Sequence, residues 1–270
     1  MDQLELSIII VEYKSKKYLF ECLKGIKKGL VNIKYEVIIV DNNQEQESKI
    51  NSQELDAALP SFEYQLVSPS TNKGFGSANN AGVGLAKGRY LLFLNPDTFI
   101  IDDSLEKMIS FYKRHSEIGA LTCLLGPDKN DVQKAFFGKF QSLLGLTLRH
   151  YNYQKIDLAK EFFYTDIVTG AVLMIRHDLF IKLGGFDENI FMYLEDDDLC
   201  KRLFDLGYKN AVLNTAKIIH LEGRSSNNIL KKHYYYQSQT YFWQKHYGFW
   251  PTLIMRIIRW PIKLIQAREF

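Results

Sequence analysis

Leu6-Ser7-Ile8-Ile9-Ile10-Val11 and, one helical stretch later, Glu36-Val37-Ile38-Ile39-Val40-Asp41 decide the fold. Neither run alternates apolar with polar residues, so each strand is expected to be covered on both faces, as in a parallel sheet sandwiched by helices. Between them the chain from Ser15 to about Leu30 carries a helical pattern. Strand, helix, strand in that order predicts an α/β architecture with a mainly parallel central sheet flanked by helices. The pattern continues with a strand at Tyr64 to Val67, a helix from near Gly76 and a strand at Tyr90 to Leu94, which Asn95-Pro96-Asp97 stops. Asp102-Asp103-Ser104 opens a helix over Leu105 to His115, with acids at its positive end. Gly126 to Phe163 is less regular. Ile167 to Ile175 reads as a buried strand and Leu199 to Leu206 as a helix closed by Gly207. No repeat or low-complexity linker divides the first 220 residues, so a single domain over 1–224 is expected, followed by a helical extension over 225–270.

Composition excludes whole classes of function. With 46% hydrophobic and 14% aromatic residues, 270 residues can bury a full core, and disorder is ruled out. Cys22, Cys123 and Cys200 are an odd number without CxxC pairing, which argues against a disulfide framework or zinc knuckle and for a reducing, cytoplasmic compartment. The first residues carry no basic stretch ahead of an apolar core, and no run reaches spanning length without charges, so an integral membrane protein is not expected. Charge is uneven: residues 225–270 hold seven Lys or Arg against one acid, a net of +6, leaving 27 bases and 30 acids in residues 1–224. The basic end is expected to form a separate surface.

In parallel α/β sheets ligands bind beyond the carboxyl ends of the strands, so the polar residues that end each apolar run are the candidates. Asp41 can accept the imide N–H of a uracil or thymine ring; it also suits a turn or cap. The loop Asn72-Lys73-Gly74-Phe75-Gly76, with Asn79 and Asn80 behind it, has N–H groups and a lysine for phosphates or a nucleoside, or else simply starts a helix. Gly74-x-Gly76 with Asp97 at the next strand end imitates a dinucleotide-binding fingerprint and raises an oxidoreductase as competitor. Asn79 replaces the third glycine, however, and the loop from Ser68 is long for a tight first turn. Asp97, held beside Pro96, suits a hard divalent cation that also takes diphosphate oxygens; a plain turn is the alternative.

Glu195-Asp196-Asp197-Asp198 is the most informative segment. Four consecutive acids repel one another and need a cation, a substrate hydroxyl or a helix N-terminus to offset them. One of them can remove a proton from an attacking hydroxyl.

In series, these segments resemble the family-2 glycosyltransferases with the GT-A fold, most closely rhamnosyltransferase-like members that build bacterial surface polysaccharides. The resemblance spans most of residues 6–225. It rests on the first strand Ser7 to Val11, Val40-Asp41-Asn42-Asn43, the Asn72-x-Gly74-Phe75 loop with Asn79-Asn80, and Leu94-Asn95-Pro96-Asp97. Further along it rests on Thr169-Gly170-Ala171, Gly184-Gly185-Phe186-Asp187, Glu195-Asp196 with Asp198-Leu199, and His220. It implies an inverting transfer of a hexose or deoxyhexose from a UDP- or dTDP-sugar to a saccharide hydroxyl. Asp196 would be the general base, with Glu195 and Asp198 binding the acceptor or supporting the base. Val11, Tyr13, Asp41, Asn72, Lys73, Gly74, Asn79, Asn95 and Asp97 would contact the nucleotide sugar. Asp97 and His220 would hold Mg²⁺ or Mn²⁺, with Asn95 standing where the DxD-like motif has its first acid. Glu12 stands where the family commonly has asparagine.

All three tryptophans, Trp243, Trp250 and Trp260, fall in the basic end. On a helix over Leu253 to Ile265, Arg256, Arg259 and Lys263 share one face while Ile254, Ile257, Ile258 and Ile265 occupy the other, and Pro261 is expected to kink it. Such a helix fits the cytoplasmic surface of the inner membrane, where a lipid-linked acceptor resides, or packs on the domain or a second subunit in a homodimer. No motif supports nucleic-acid binding. A non-catalytic glycan- or nucleotide-binding protein of the same fold is the remaining alternative.

Overall fold

The computed structural model describes residues 4–128, 137–147, 159–221 and 228–267, and side chains in the last stretch over 230–260. The two opening runs form β1 (Leu6–Glu12) and β2 (Tyr35–Asp41), joined by α1 (Lys16–Gly29) and paired in parallel from Leu6↔Tyr35 to Glu12↔Asp41. Ile8 and Ile10 point into one apolar cluster and Ile9 and Val11 into another. That two-sided burial is why the run shows no alternation. There follow α2 (Ser52–Ala58), β3 (Gln65–Val67), α3 (Phe75–Val83), β4 (Tyr90–Leu94), β5 (Thr98–Phe99), α4 (Ser104–Arg114), β6 (Ile118–Gly126), β7 (Phe137–Gly138), α5 (Leu143–Thr147), β8 (Phe162–Thr165) and β9 (Ile167–Val168). The chain continues through β10 (Val172–Arg176), α6 (His177–Lys182), α7 (Glu195–Asp205), β11 (Lys209–His220), α8 (Asn228–Tyr247) and α9 (Phe249–Ala267).

Among the described residues the main sheet has nine strands in the order β3-β2-β1-β4-β10-β6-β11-β5, with β8 on β11. It is mainly parallel, as expected, but β10 runs antiparallel between β4 and β6. The single strand expected over Ile167 to Ile175 is two, broken at Thr169-Gly170-Ala171 because β9 leaves to pair with β7. The helix expected from Leu199 begins at Glu195, so the four acids are its first turn, where the helix dipole favours negative charge. Parts of the irregular segment, 129–136 and 148–158, lie outside the described residues, as does the expected boundary at 224 and 225.

The basic end is not a separate surface. Leu194, just before α7, packs with Phe242 and Trp243 of α8 and Met255 of α9. Arg259 does not join Arg256 on a solvated face: it is 5% exposed and its guanidinium lies 4.1 Å from the Tyr236 ring centroid. The inner face of α9 is Thr252, Met255 and Arg259, while Trp250, Leu253, Ile254, Ile257 and Trp260 are exposed. The helix continues through Pro261; the Lys263 and Ile265 side chains lie outside those described. No helix of the described residues is long and apolar enough to cross a membrane.

Candidate functional site

A cavity of about 550 Å³ opens at the carboxyl ends of β1, β2 and β4 and is also lined by the segment that leads into α7. Val11, Tyr13, Asn42, Asn72, Gly74, Asn95, Asp97 and His220 line one part of it, and Glu195, Asp196 and Asp197 also face it. Three expected ligands do not line it: Asp41, Lys73 and Asn79.

Each exclusion has a local cause. Asp41 is 1% exposed, and its Oδ1 accepts from the Asn43 N–H at 3.1 Å and the Asn43 amide at 2.8 Å, while Oδ2 accepts from the Ile50 N–H at 2.9 Å. Its carboxylate is engaged in shaping the loop after β2, and Asn42 faces the cavity beside it. Asn79 turns its amide back onto the Phe75 carbonyl at 3.0 Å. Lys73 is exposed.

Glu12 joins the same network. Fully buried at the end of β1, it accepts from the Ser15 N–H at 2.6 Å at the start of α1, and its other oxygen accepts from the Asn43 amide. Burial pushes its carboxyl up, against the hydrogen bonds from Ser15 and Asn43.

The Gly74 loop is bonded to the segment that precedes the four acids. Gly74 has φ +100°, and a Cβ there would meet the Phe191 carbonyl oxygen at 1.9 Å, so only glycine fits. Its N–H donates to Asn72 Oδ1 at 2.9 Å, and the Phe75 N–H donates to the Phe191 carbonyl at 3.0 Å. The Gly74 and Phe75 N–H groups, at the start of α3, are thus bonded within the protein.

Asp97 and His220 meet through strand pairing. His220 ends β11 opposite Thr98 of β5, and the Leu221 N–H donates to the Asp97 carbonyl at 3.2 Å. His220 Nε2 then lies 3.3 Å from Asp97 Oδ1, with both side chains largely buried at the cavity wall. No cluster of three or more His, Cys, Asp or Glu side chains among the described residues is placed to hold a metal. One carboxylate and one imidazole fit a cation that completes its shell with diphosphate oxygens and water.

The acids of α7 divide sharply. Tyr193 and Leu194 have φ of 66° and 68°, a left-handed pair that costs about 1–2 kcal/mol per residue. Packing of Leu194 and a 2.7 Å hydrogen bond from Ser238 Oγ to the Met192 carbonyl hold this turn. It delivers Asp196 to the cavity, where Oδ2 accepts from the Gly170 N–H at 2.7 Å and Oδ1 from the Asp197 N–H at 3.0 Å. Burial pushes the Asp196 carboxyl up, and these N–H donors only partly reverse that. Glu195 and Asp197 are pushed well above the usual carboxylate range by burial and by the Asp196 charge. Glu195 Oε2 is buried without a hydrogen-bond partner.

Asp198 faces the other way. Fully buried, it pairs with Arg202 at 2.8 Å, with His246 at 2.7 Å and with Lys245 at 2.7 Å. Burial raises its carboxyl, and His246, Arg202 and Lys245 more than reverse this, holding it below the ordinary range. Of the two expectations for Asp198, acceptor contact and support, the geometry matches support. Lys245 also reaches Asp187 at 2.6 Å, so α8 ties both ends of the loop before α7.

Sequence reasoning singles out Asp197 and Gly170 only as parts of longer motifs and gives no role to Gln141, Tyr193 or Tyr235, all of which line the cavity. Gly170 carried a signal, as the break in an apolar strand run. Gln141 and Tyr235 carried none, because they reach the cavity from distant segments.

The chain matches the profile of glycosyl transferase family 2 over residues 7–184, and that of the N-terminal domain of galactosyltransferase over residues 149–225. It is 28% identical over 171 residues to rhamnosyltransferase WbbL of Escherichia coli, covering 59% of this chain and 65% of that one, a little under two thirds of its length. It is 24% identical over 226 residues to the N-acetylglucosaminyl-diphospho-decaprenol L-rhamnosyltransferase of Mycobacterium tuberculosis, covering 74% and 72%. Among solved structures it resembles the mannosyltransferase PcManGT of Pyrobaculum calidifontis in complex with GDP-Man and Mn²⁺, with TM-score 0.68, 16% identity, and 93% and 68% of the chains covered. TarS 1-349 of S. aureus gives TM-score 0.57 at 18% identity over 90% and 72%. The oxidoreductase alternative is thereby replaced: the chain belongs to glycosyl transferase family 2 as a rhamnosyltransferase-like member with the GT-A fold.

Proposed function

We propose that the protein transfers a hexose or deoxyhexose, such as rhamnose, from a UDP- or dTDP-sugar to a hydroxyl of a lipid-linked saccharide in surface-polysaccharide assembly, with inversion. One observation carries this reading: the Asp196 carboxylate, fixed by the Gly170 N–H, faces the same cavity as Asn95, Asp97 and His220. The acceptor hydroxyl approaches Asp196, which takes its proton as the oxygen attacks the anomeric carbon and the nucleoside diphosphate departs from the opposite face. Burial makes Asp196 a better proton acceptor than an exposed aspartate, and Tyr193 and Leu194 line the cavity beside it. Asn42 and Asn72 are placed to meet the nucleoside, with Val11 and Tyr13 beside them. Asp41 reaches the base only if the loop after β2 releases it. Asp97 and His220 would hold Mg²⁺ or Mn²⁺, which when bound stabilises charge on the leaving diphosphate.

The reading includes residues 1–224 as the transferase domain and 225–270 as the segment that brings it to the cytoplasmic face of the plasma membrane. Trp250, Leu253, Ile254, Ile257 and Trp260 form an exposed apolar stripe with Arg256 beside it, which suits an anionic bilayer. A second copy of the chain covering that stripe is the other occupant, and sedimentation of the protein with anionic vesicles against its oligomeric state in solution separates them.

The test of the chemistry is hydrolysis and transfer across a panel of UDP- and dTDP-sugars with Mg²⁺ or Mn²⁺. Turnover by the wild type that disappears in Asp196→Asn, with nucleotide binding retained, supports the reading. A wild type that binds nucleotide yet neither hydrolyses nor transfers any donor would instead be a binding protein of this fold.

A further inference from the structure

Gln239, Gln141 and Tyr235 form a hydrogen-bond relay with a direction. Gln239, 2% exposed on α8, donates from its Nε2 to Oε1 of Gln141. That contact orients the Gln141 amide so that its Nε2 donates to Tyr235 Oη at 2.7 Å. Tyr235 and Gln239 are four residues apart on α8, so both look out from one face of the helix. A phenol oxygen that accepts keeps its own O–H to give, and no described residue takes it. Gln141 and Tyr235 line the cavity together with Tyr193, Asp196 and Asp197. The Tyr193 and Tyr235 rings meet edge to face, with centroids 6.4 Å apart and planes at 62°. Burial pushes the Tyr235 phenol up, and the charge of Asp197 adds to this, so it remains protonated and a donor through the neutral range.

These residues differ in kind from the asparagines and Asp97 elsewhere on the wall. Aromatic faces beside oriented neutral donors recognise a saccharide, whose hydroxyls accept hydrogen bonds and whose C–H faces pack on rings. We propose that Tyr235 is an acceptor-recognition residue: its O–H donates to an oxygen of the acceptor saccharide next to Asp196, with Gln141 and Gln239 as positioning residues. This rests on the glycosyl-transfer reading and adds to it a specificity determinant outside the family-profile match, supplied by the C-terminal helix.

The experiment uses the full chain with the fastest donor and acceptor found for the wild type in a panel that includes dTDP-rhamnose, UDP-sugars and a synthetic long-chain alkyl diphospho-N-acetylglucosamine. Tyr235→Phe keeps the ring and removes the donor; it raises the acceptor KM about tenfold, as expected for one lost hydrogen bond, with the donor KM within about twofold of wild type. Gln239→Leu, which frees the Gln141 amide, moves the acceptor KM in the same direction by a smaller factor. An unchanged acceptor KM in Tyr235→Phe, or donor and acceptor KM rising together, overturns the assignment. Absence of any hydrolysis or transfer by the wild type removes the transferase reading itself, and is seen before a variant is made.

Discussion

Two groups of acids sit at the carboxyl edge of the sheet, and they are built in opposite ways. At the ends of β1 and β2, the oxygens of Glu12 and Asp41 accept hydrogen bonds from Ser15, Asn43 and Ile50, all within the N-terminal part of the chain. At the start of α7, Glu195, Asp196 and Asp197 crowd together with few donors, and Glu195 Oε2 has none. A fully bonded carboxylate holds structure and gains little from a new partner; an under-bonded one at a cavity is available to a substrate proton. Asp198 sharpens the contrast, since two residues beyond Asp196 it is paired with Arg202, Lys245 and His246.

The largest effect that would test this division is on catalysis. Asp196→Asn is expected to lower kcat by about 10³-fold, within the range general-base removal produces, while the melting temperature holds or rises because a crowded charge is gone. Wild-type turnover in this variant would assign the proton to another acid. Asp198→Ala is expected to behave in the opposite sense, costing about 3 kcal/mol in chemical denaturation because Arg202 and Lys245 lose a buried partner. A near-neutral effect would mean that α8 does not clamp α7 through this residue. Glu12→Gln should cost about 2 kcal/mol, since an amide cannot accept from both Ser15 and Asn43, and any loss of turnover should follow the loss of folded protein.

A pH titration separates the two groups without mutation. The Asp196 carboxyl is raised in the fold, so its base form is lost as pH falls through a value above that of an ordinary aspartate, and kcat should fall on that limb. The same raised group favours the folded state when protonated, so its contribution to stability is present at low pH and is lost as pH rises through the folded value. Asp198 is lowered, so its contribution is present above the unfolded value of 3.8 and is lost as pH falls through the lower folded value. The expected outcome is an activity limb at higher pH than the acid-unfolding limb. The smallest effect on the fold is expected from Trp250→Ser with Ile257→Ser on the outer face of α9: within about 0.5 kcal/mol in stability, with a marked loss of binding to anionic vesicles.

Much of the fold was legible because it depends on local pattern. Short, Ile- and Val-rich unalternated runs at Leu6 to Val11 and Val37 to Val40 read as strands covered on both faces, and their order with the intervening helix points to the α/β class. The strand-end motifs Asn95-Pro96-Asp97 and Glu195-Asp196, in series with the others, gave the family. The antiparallel insertion of β10 was not legible, since an apolar strand reads the same in either direction.

What only the tertiary structure decided is which polar groups are already occupied. Asp41, Lys73 and Asn79 have the residue types and positions of ligands, yet Ile50, solvent and Phe75 claim them. Of the partners of Asp198, Arg202 is one helical turn away but His246 lies 48 residues away in sequence, and Gln141 meets Tyr235 across 94. Sequence by itself set the strands, the family and the acidic segment, because periodicity and motif order are local. The division of that segment into one acid for the proton and another for the clamp required long-range contacts, because burial and hydrogen bonding fix a carboxyl's role and neither is encoded nearby in the chain.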